Sequence, residues 1–107
     1  MSTKLSQSFE IRMVEARLGY AVYPRPCIVT KIETNRTARV FFLSTKNYSE
    51  RGQSFCISNQ HPDFSATGLK ATSHTIHPAQ HIELKYLGSK RGELTGQLAR
   101  EFEAWLG

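Results

Sequence analysis

The chain has 107 residues, of which 39% are hydrophobic and 21% charged, a composition typical of one globular domain and not of a disordered chain. No stretch approaches the roughly 20 consecutive apolar residues of a membrane span, and the first residues lack the apolar core of a secretory signal, so we expect a cytoplasmic protein. Fourteen Lys and Arg against nine Asp and Glu give a net charge of +5, which favours an acidic partner such as a nucleic acid.

The first half of the chain alternates apolar and polar residues, which predicts short strands. A first strand is predicted over residues 9–14, with a helix over residues 5–18 as the alternative. Residues 19–26 contain a glycine and two prolines and are expected to form a loop. Strands over residues 27–33 and 38–44 follow, joined by a polar turn as a hairpin.

The second half of the chain predicts three more strands and then a helix. The strands occupy residues 53–58, 69–76 and 82–87, and Gly88 is expected to close the last of them. Apolar residues then recur at helical spacing, namely Leu94, Leu98, Phe102, Trp105 and Leu106. This stripe predicts a helix over about residues 93–106. About six strands and one helix indicate a mainly β fold, a small and strongly bent barrel of five to seven antiparallel strands with the helix over one opening.

The cysteines and histidines give little sign of a metal site. Cys27 and Cys56 both lie in apolar, strand-like sequence and are predicted to be buried free thiols. Three histidines follow one another closely, namely His74, His77 and His81. Pro78 disfavours the helix that would place the last two on one face. We therefore expect neither a metal nor a cofactor.

Four short motifs resemble, in order and spacing, those of the MazF/PemK-like toxin family. They are PRPCIV at 24–29, VFFLST at 40–45, TGLKATS at 67–73 and LGSKRGEL at 87–94. The resemblance extends from about residue 9 to 106. It implies one SH3-like barrel domain over residues 1–107, a homodimer, metal-independent cleavage of single-stranded RNA, and inhibition by an antitoxin protein. An exposed edge of the strand near residues 38–44 could supply the dimer surface.

The strand after the glycine motif differs from this family. It holds neither the arginine nor the carboxylate that family members often carry there. The alternative is therefore a noncatalytic SH3-like barrel that binds RNA or a protein partner.

RNA cleavage without a metal uses the substrate's own 2′-OH as nucleophile. The protein must supply a base, an acid and donors that stabilise the charged phosphorane. Arg25 is the candidate cation, because a guanidinium matches two phosphate oxygens. Thr45, a hydroxyl at a strand end, and His74, whose imidazole can act as a base or an acid, complete the predicted catalytic set.

A further group of residues is predicted to bind RNA. Hydroxyls and cations at a strand end can hold a phosphate, although Ser and Thr there also satisfy local turn donors. Strand alternation would place Lys70 on the face of His74, with Ser73 facing away. Exposed rings can stack on unpaired bases. The predicted RNA-binding residues are Ser44, Lys46, Lys70, Tyr23, Tyr48 and His77.

Overall fold

The computed structural model of the chain describes residues 9–14, 24–33, 36–46 and 53–107. Its strands are β1 (Phe9–Val14), β2 (Arg25–Ile32), β3 (Thr37–Ser44), β4 (Cys56–Ile57), β5 (Ser73–Thr75), β6 (Gln80–Glu83) and β7 (Leu87–Leu94), and helix α1 spans Gly96–Leu106. The strands pair antiparallel and form a curled half-barrel with a single C-terminal helix, which confirms the predicted fold class. Within the described residues, no helix is long and apolar enough to cross a membrane.

Strand β3 lies inside the sheet. The sheet has the order β4-β5-β3-β2-β1-β7, and β6 also pairs with β3. One side of β3 pairs with β2, and its other side pairs with β6 over its first half and with β5 at its end. The expected exposed edge near residues 38–44 is therefore wrong, because β5 and β6 occupy it.

Both faces of the β2–β3 hairpin are buried at its centre, as the continuous apolar sequence there requires. On one face Ile28 and Phe41 join a core cluster with residues of β1 and α1. On the other face Cys27 and Phe42 belong to a second cluster that includes Ile82 of β6. The hairpin therefore separates two apolar clusters. The start of β2 and the end of β3 lie beyond these clusters and carry polar side chains.

Helix α1 packs its apolar stripe against the first cluster. Leu98 and Phe102 are fully buried, and the Phe102 ring meets the Phe9 ring edge-on with centroids 5.0 Å apart. The helix begins three residues later than predicted, so Leu94 lies on β7, and Leu106 is 39% exposed. The first turn is held from outside the helix, since the Leu98 backbone N–H donates to the Asp63 carboxylate at 3.3 Å.

The strand predicted over residues 82–87 is wrong, because these residues belong to three different elements. Gly88 does not close a strand but lies within one, and residues Leu84–Tyr86 form a 3-10 helix between β6 and β7. A Cβ on Gly92 would lie 2.3 Å from the Ala66 carbonyl oxygen, and one on Gly88 would lie 2.9 Å from that of Met13. These glycines permit close backbone approach within β7, so the prediction that Gly88 ends a strand is wrong.

Three other strands differ from their predicted bounds. Strand β2 begins two residues earlier, at Arg25, while β4 and β5 contain only two and three residues. Residues 69–72 are therefore not part of a strand. Cys56 is exposed, contrary to prediction, whereas Cys27 is buried and burial raises the pKa of its thiol to about 12.

Candidate functional site

A cavity of about 260 Å³ lies where β2 begins and β3 ends. These two ends meet because the strands are antiparallel and Cys27 pairs with Phe42. The cavity is lined by Pro24, Arg25, Pro26, Leu43, Ser44, Thr45, Lys46 and Ser73. The fold thus brings together four of the predicted site residues, Arg25 from one motif and residues 44–46 from the end of a second motif and the position after it. We refer to it as the Arg25 cavity.

Both the backbone and the side chain of Arg25 are restrained. Prolines precede and follow it, so the backbone on either side has a restricted φ. Its Nη1 donates to the Leu43 carbonyl oxygen at 3.3 Å. Within the described part of the chain Arg25 forms no ion pair with a carboxylate. Its other N–H donors can therefore bind an anion in the cavity.

The hydroxyl groups around Arg25 are partly engaged in local structure. The Ser44 hydroxyl accepts a hydrogen bond from the Lys46 backbone N–H at 3.1 Å, and the Ser73 hydroxyl donates to the Ala71 carbonyl at 3.0 Å. Because Ser44 accepts that bond, its own hydrogen can still be donated to a ligand. Thr45 and Lys46 are exposed at the cavity mouth.

Ser73 is a lining residue that strand alternation placed on the wrong side. It is 5% exposed and pairs with Ile57, on the inward face of β5. The alternation argument assumed a strand over residues 69–76, whereas β5 begins at Ser73. Lys70 lies outside β5, so the strand alternation that was expected to place it on the face of His74 does not extend to it.

His74 lies next to the Arg25 cavity but is not part of its lining. It pairs with Ser44 of β3 on one side and with Cys56 of β4 on the other. Directly opposed residues in antiparallel strands share a face, so His74 is a neighbour of Ser44. Its Nδ1 is buried and, among the described residues, has no hydrogen-bond partner.

A second cavity, of about 200 Å³, adjoins the first. It is lined by Met13, Pro26, Thr45, Gly68, Leu69, Lys70, Ala71, Ser73 and Arg91. Three of these residues, Pro26, Thr45 and Ser73, also line the Arg25 cavity. We refer to it as the Leu69 cavity. Sequence reasoning missed Arg91, because it reaches the site from the distant strand β7.

The remaining predicted residues lie elsewhere. His77 contacts the Phe41 and Trp105 rings, with centroids 5.1 and 5.3 Å away, and burial lowers its pKa. His81 instead contacts the Glu33 carboxylate at 2.8 Å, a hydrogen bond that lowers the pKa of that carboxyl. Among the described residues, no three metal-ligating side chains lie together. Tyr23 and Tyr48 lie outside the described residues.

Comparison with known proteins found no matching family model, no matching curated protein and no matching solved structure.

Proposed function

We propose that the protein is a metal-independent endoribonuclease that cleaves single-stranded RNA at the Arg25 cavity. The observation that carries the proposal is that Arg25 and Thr45 line one cavity together with Lys46 and Ser44. Two cations and several hydroxyls in one concave site are suited to a phosphodiester. The net charge of +5 would attract a polyanion to it.

The proposed chemistry combines the groups that line the cavity with His74 beside it. The substrate's 2′-oxygen attacks the adjacent phosphorus, its proton leaves to a base, and the bond from phosphorus to the 5′-oxygen breaks as that oxygen gains a proton. The guanidinium of Arg25 stabilises the phosphorane, with Thr45 and Lys46 as further donors. His74, which lies beside Ser44 without lining the cavity, is proposed to carry one of the two protons.

A noncatalytic RNA-binding barrel is the second candidate. The described lining of the Arg25 cavity contains no carboxylate and no imidazole, the groups that most often transfer protons in such a reaction. In this case the cavity would hold a phosphate without activating the 2′-OH.

Incubation of the purified protein with a long defined RNA, followed by mapping of the ends, decides between the two. We expect products with 2′,3′-cyclic phosphate and 5′-OH ends and a rate that EDTA leaves unchanged. Arg25→Ala should lower the rate by about 10²- to 10³-fold, and Arg25→Lys should restore little of it. His74→Ala should lower the rate by about 10²- to 10⁴-fold.

Arg100→Ala is the matched control, since it removes the same charge from an exposed residue of α1 that lines neither cavity. RNA that is bound but never cut would establish the noncatalytic candidate instead.

We further propose that the protein acts in the cytoplasm as a homodimeric toxin that a cognate antitoxin neutralises. This part rests on the resemblance of the four motifs. Expression alone should arrest growth, and the Arg25→Ala variant should not. Sedimentation at micromolar concentration should show a dimer, and a species of only 12.1 kDa would contradict that state.

A further inference from the structure

The Leu69 cavity adjoins the Arg25 cavity but has no role in the proposed reaction. We propose that it binds the nucleobase of a nucleotide whose phosphate occupies the Arg25 cavity, and that it favours the keto bases guanine and uracil. This inference rests on the proposed function, because it assumes that RNA is the ligand.

The two cavities are placed as a phosphate and its base would require. They share Pro26, Thr45 and Ser73 as a common wall, so groups that fill them lie side by side. Each cavity is lined by two cations, Arg25 and Lys46 in the first and Lys70 and Arg91 in the second, but the second also has Met13, Leu69 and Ala71 as apolar walls. A nucleotide has the same division, with a charged phosphate joined through the ribose to a flat base whose faces gain from apolar contact.

The polar groups of the Leu69 cavity set the base preference. Its two charged residues, Lys70 and Arg91, can donate hydrogen bonds but cannot accept them. On the edge that faces the major groove in a duplex, guanine offers the acceptors O6 and N7 and uracil offers O4, where adenine and cytosine carry an amino donor. The side-chain acceptors in the described lining are the hydroxyls of Thr45 and Ser73, which also donate, and the lining has no carboxylate or amide oxygen for such an amino group.

The backbone holds the two sides of this cavity together. Gly68 has a φ of 72°, in the left-handed region that favours glycine, and a Cβ placed on it would lie 2.2 Å from the Arg91 carbonyl oxygen. The loop that carries Leu69 and Lys70 is thus packed directly on β7. The cavity is therefore built by the fold before any ligand arrives, which limits the entropy lost on binding.

Binding of 2′-O-methyl oligonucleotides, which lack the attacking hydroxyl, tests the inference apart from cleavage. Fluorescence anisotropy is compared for oligo-U, oligo-C and an abasic strand of the same length. Uracil and cytosine have one ring each, so they differ mainly in their polar edges. We expect oligo-U to bind about tenfold more tightly than oligo-C, and the abasic strand to bind most weakly.

Two variants assign these differences to the cavity. Arg91→Ala should remove the preference for oligo-U over oligo-C. Ala71→Leu, which fills the cavity, should bring oligo-U to the affinity of the abasic strand. The matched controls Arg100→Ala and Ala104→Leu change exposed residues of α1 and should leave both differences intact.

The same binding measurements separate a failure of the base site from a failure of the proposed function. Equal binding of all three strands by the wild type, with Arg25→Ala still weakening each of them, would overturn the base site and leave the phosphate site standing. No binding of any strand, or binding that Arg25→Ala does not weaken, would overturn the proposed function and the base site together.

Discussion

Burial gives the two cysteines opposite chemical behaviour. Cys27 is 0% exposed and its pKa is raised to about 12 by burial, whereas Cys56 is exposed on β4. Because the thiolate is the reactive form, we expect a disulfide reagent such as DTNB to modify Cys56 alone in the native protein, and both thiols after unfolding. A Cys56→Ser variant should show no rapid native reaction. Rapid reaction in that variant would mean that Cys27 is accessible.

His77 gives stability a dependence on pH. Burial lowers its pKa in the folded protein, so between pH 7 and 5 the unfolded chain binds more protons than the folded one. The free energy of unfolding should therefore fall as the pH drops below the ordinary histidine pKa of about 6.5. His77→Phe keeps an aromatic ring beside Phe41 and Trp105 and should make this fall shallower in urea melts. Equal slopes for the two proteins would show that His77 is not responsible.

At the level of elements, the docking of α1 closes the core. Leu98 is 1% exposed within the first apolar cluster, and Leu106 lies on the same helix but is 39% exposed. Leu98→Ala should lower the free energy of unfolding by about 2–5 kcal/mol through lost burial and a cavity. Leu106→Ala, the same change at an exposed site, should cost less than about 1 kcal/mol. Similar losses for both in reversible melts would contradict the packing of the helix.

The elements also show what the sequence alone could predict. Strand β1 and helix α1 were predictable because apolar residues recur in them at a regular period, and β2 and β3 because a short continuous apolar run is typical of a strand buried on both faces. Strand β7 was not predictable from the sequence. Its glycines Gly88 and Gly92 are required because the backbones of Met13 and Ala66, which are distant in sequence, pack closely against them. The residues of the candidate site likewise divide into predictable and unpredictable ones.

Arg25 and Thr45 were predictable from motifs at strand ends. Ser73 and Arg91 were not. Ser73 depends on where β5 begins, and Arg91 reaches the site only through tertiary packing.

For the whole molecule, the charges are arranged unevenly. Arg12 and Lys90 lie beside the Glu10 carboxylate, and Lys90 also pairs with Glu93. In the described part of the chain, by contrast, no carboxylate lines either cavity. No carboxylate in the described lining offsets the positive charge at the two cavities, so the proposed binding of RNA should weaken as the salt concentration rises.

Arg25 should account for a measurable part of that salt dependence. Each phosphate contact to a single strand contributes a slope of about −0.7 to the logarithm of the binding constant against the logarithm of salt concentration, because counterions are released. Arg25→Ala should therefore make the slope for a 2′-O-methyl oligonucleotide shallower by about 0.7. Arg100→Ala removes the same charge outside both cavities and should leave the slope unchanged. If both variants changed the slope equally, the net charge of the protein, and not the Arg25 cavity, would be holding the phosphates.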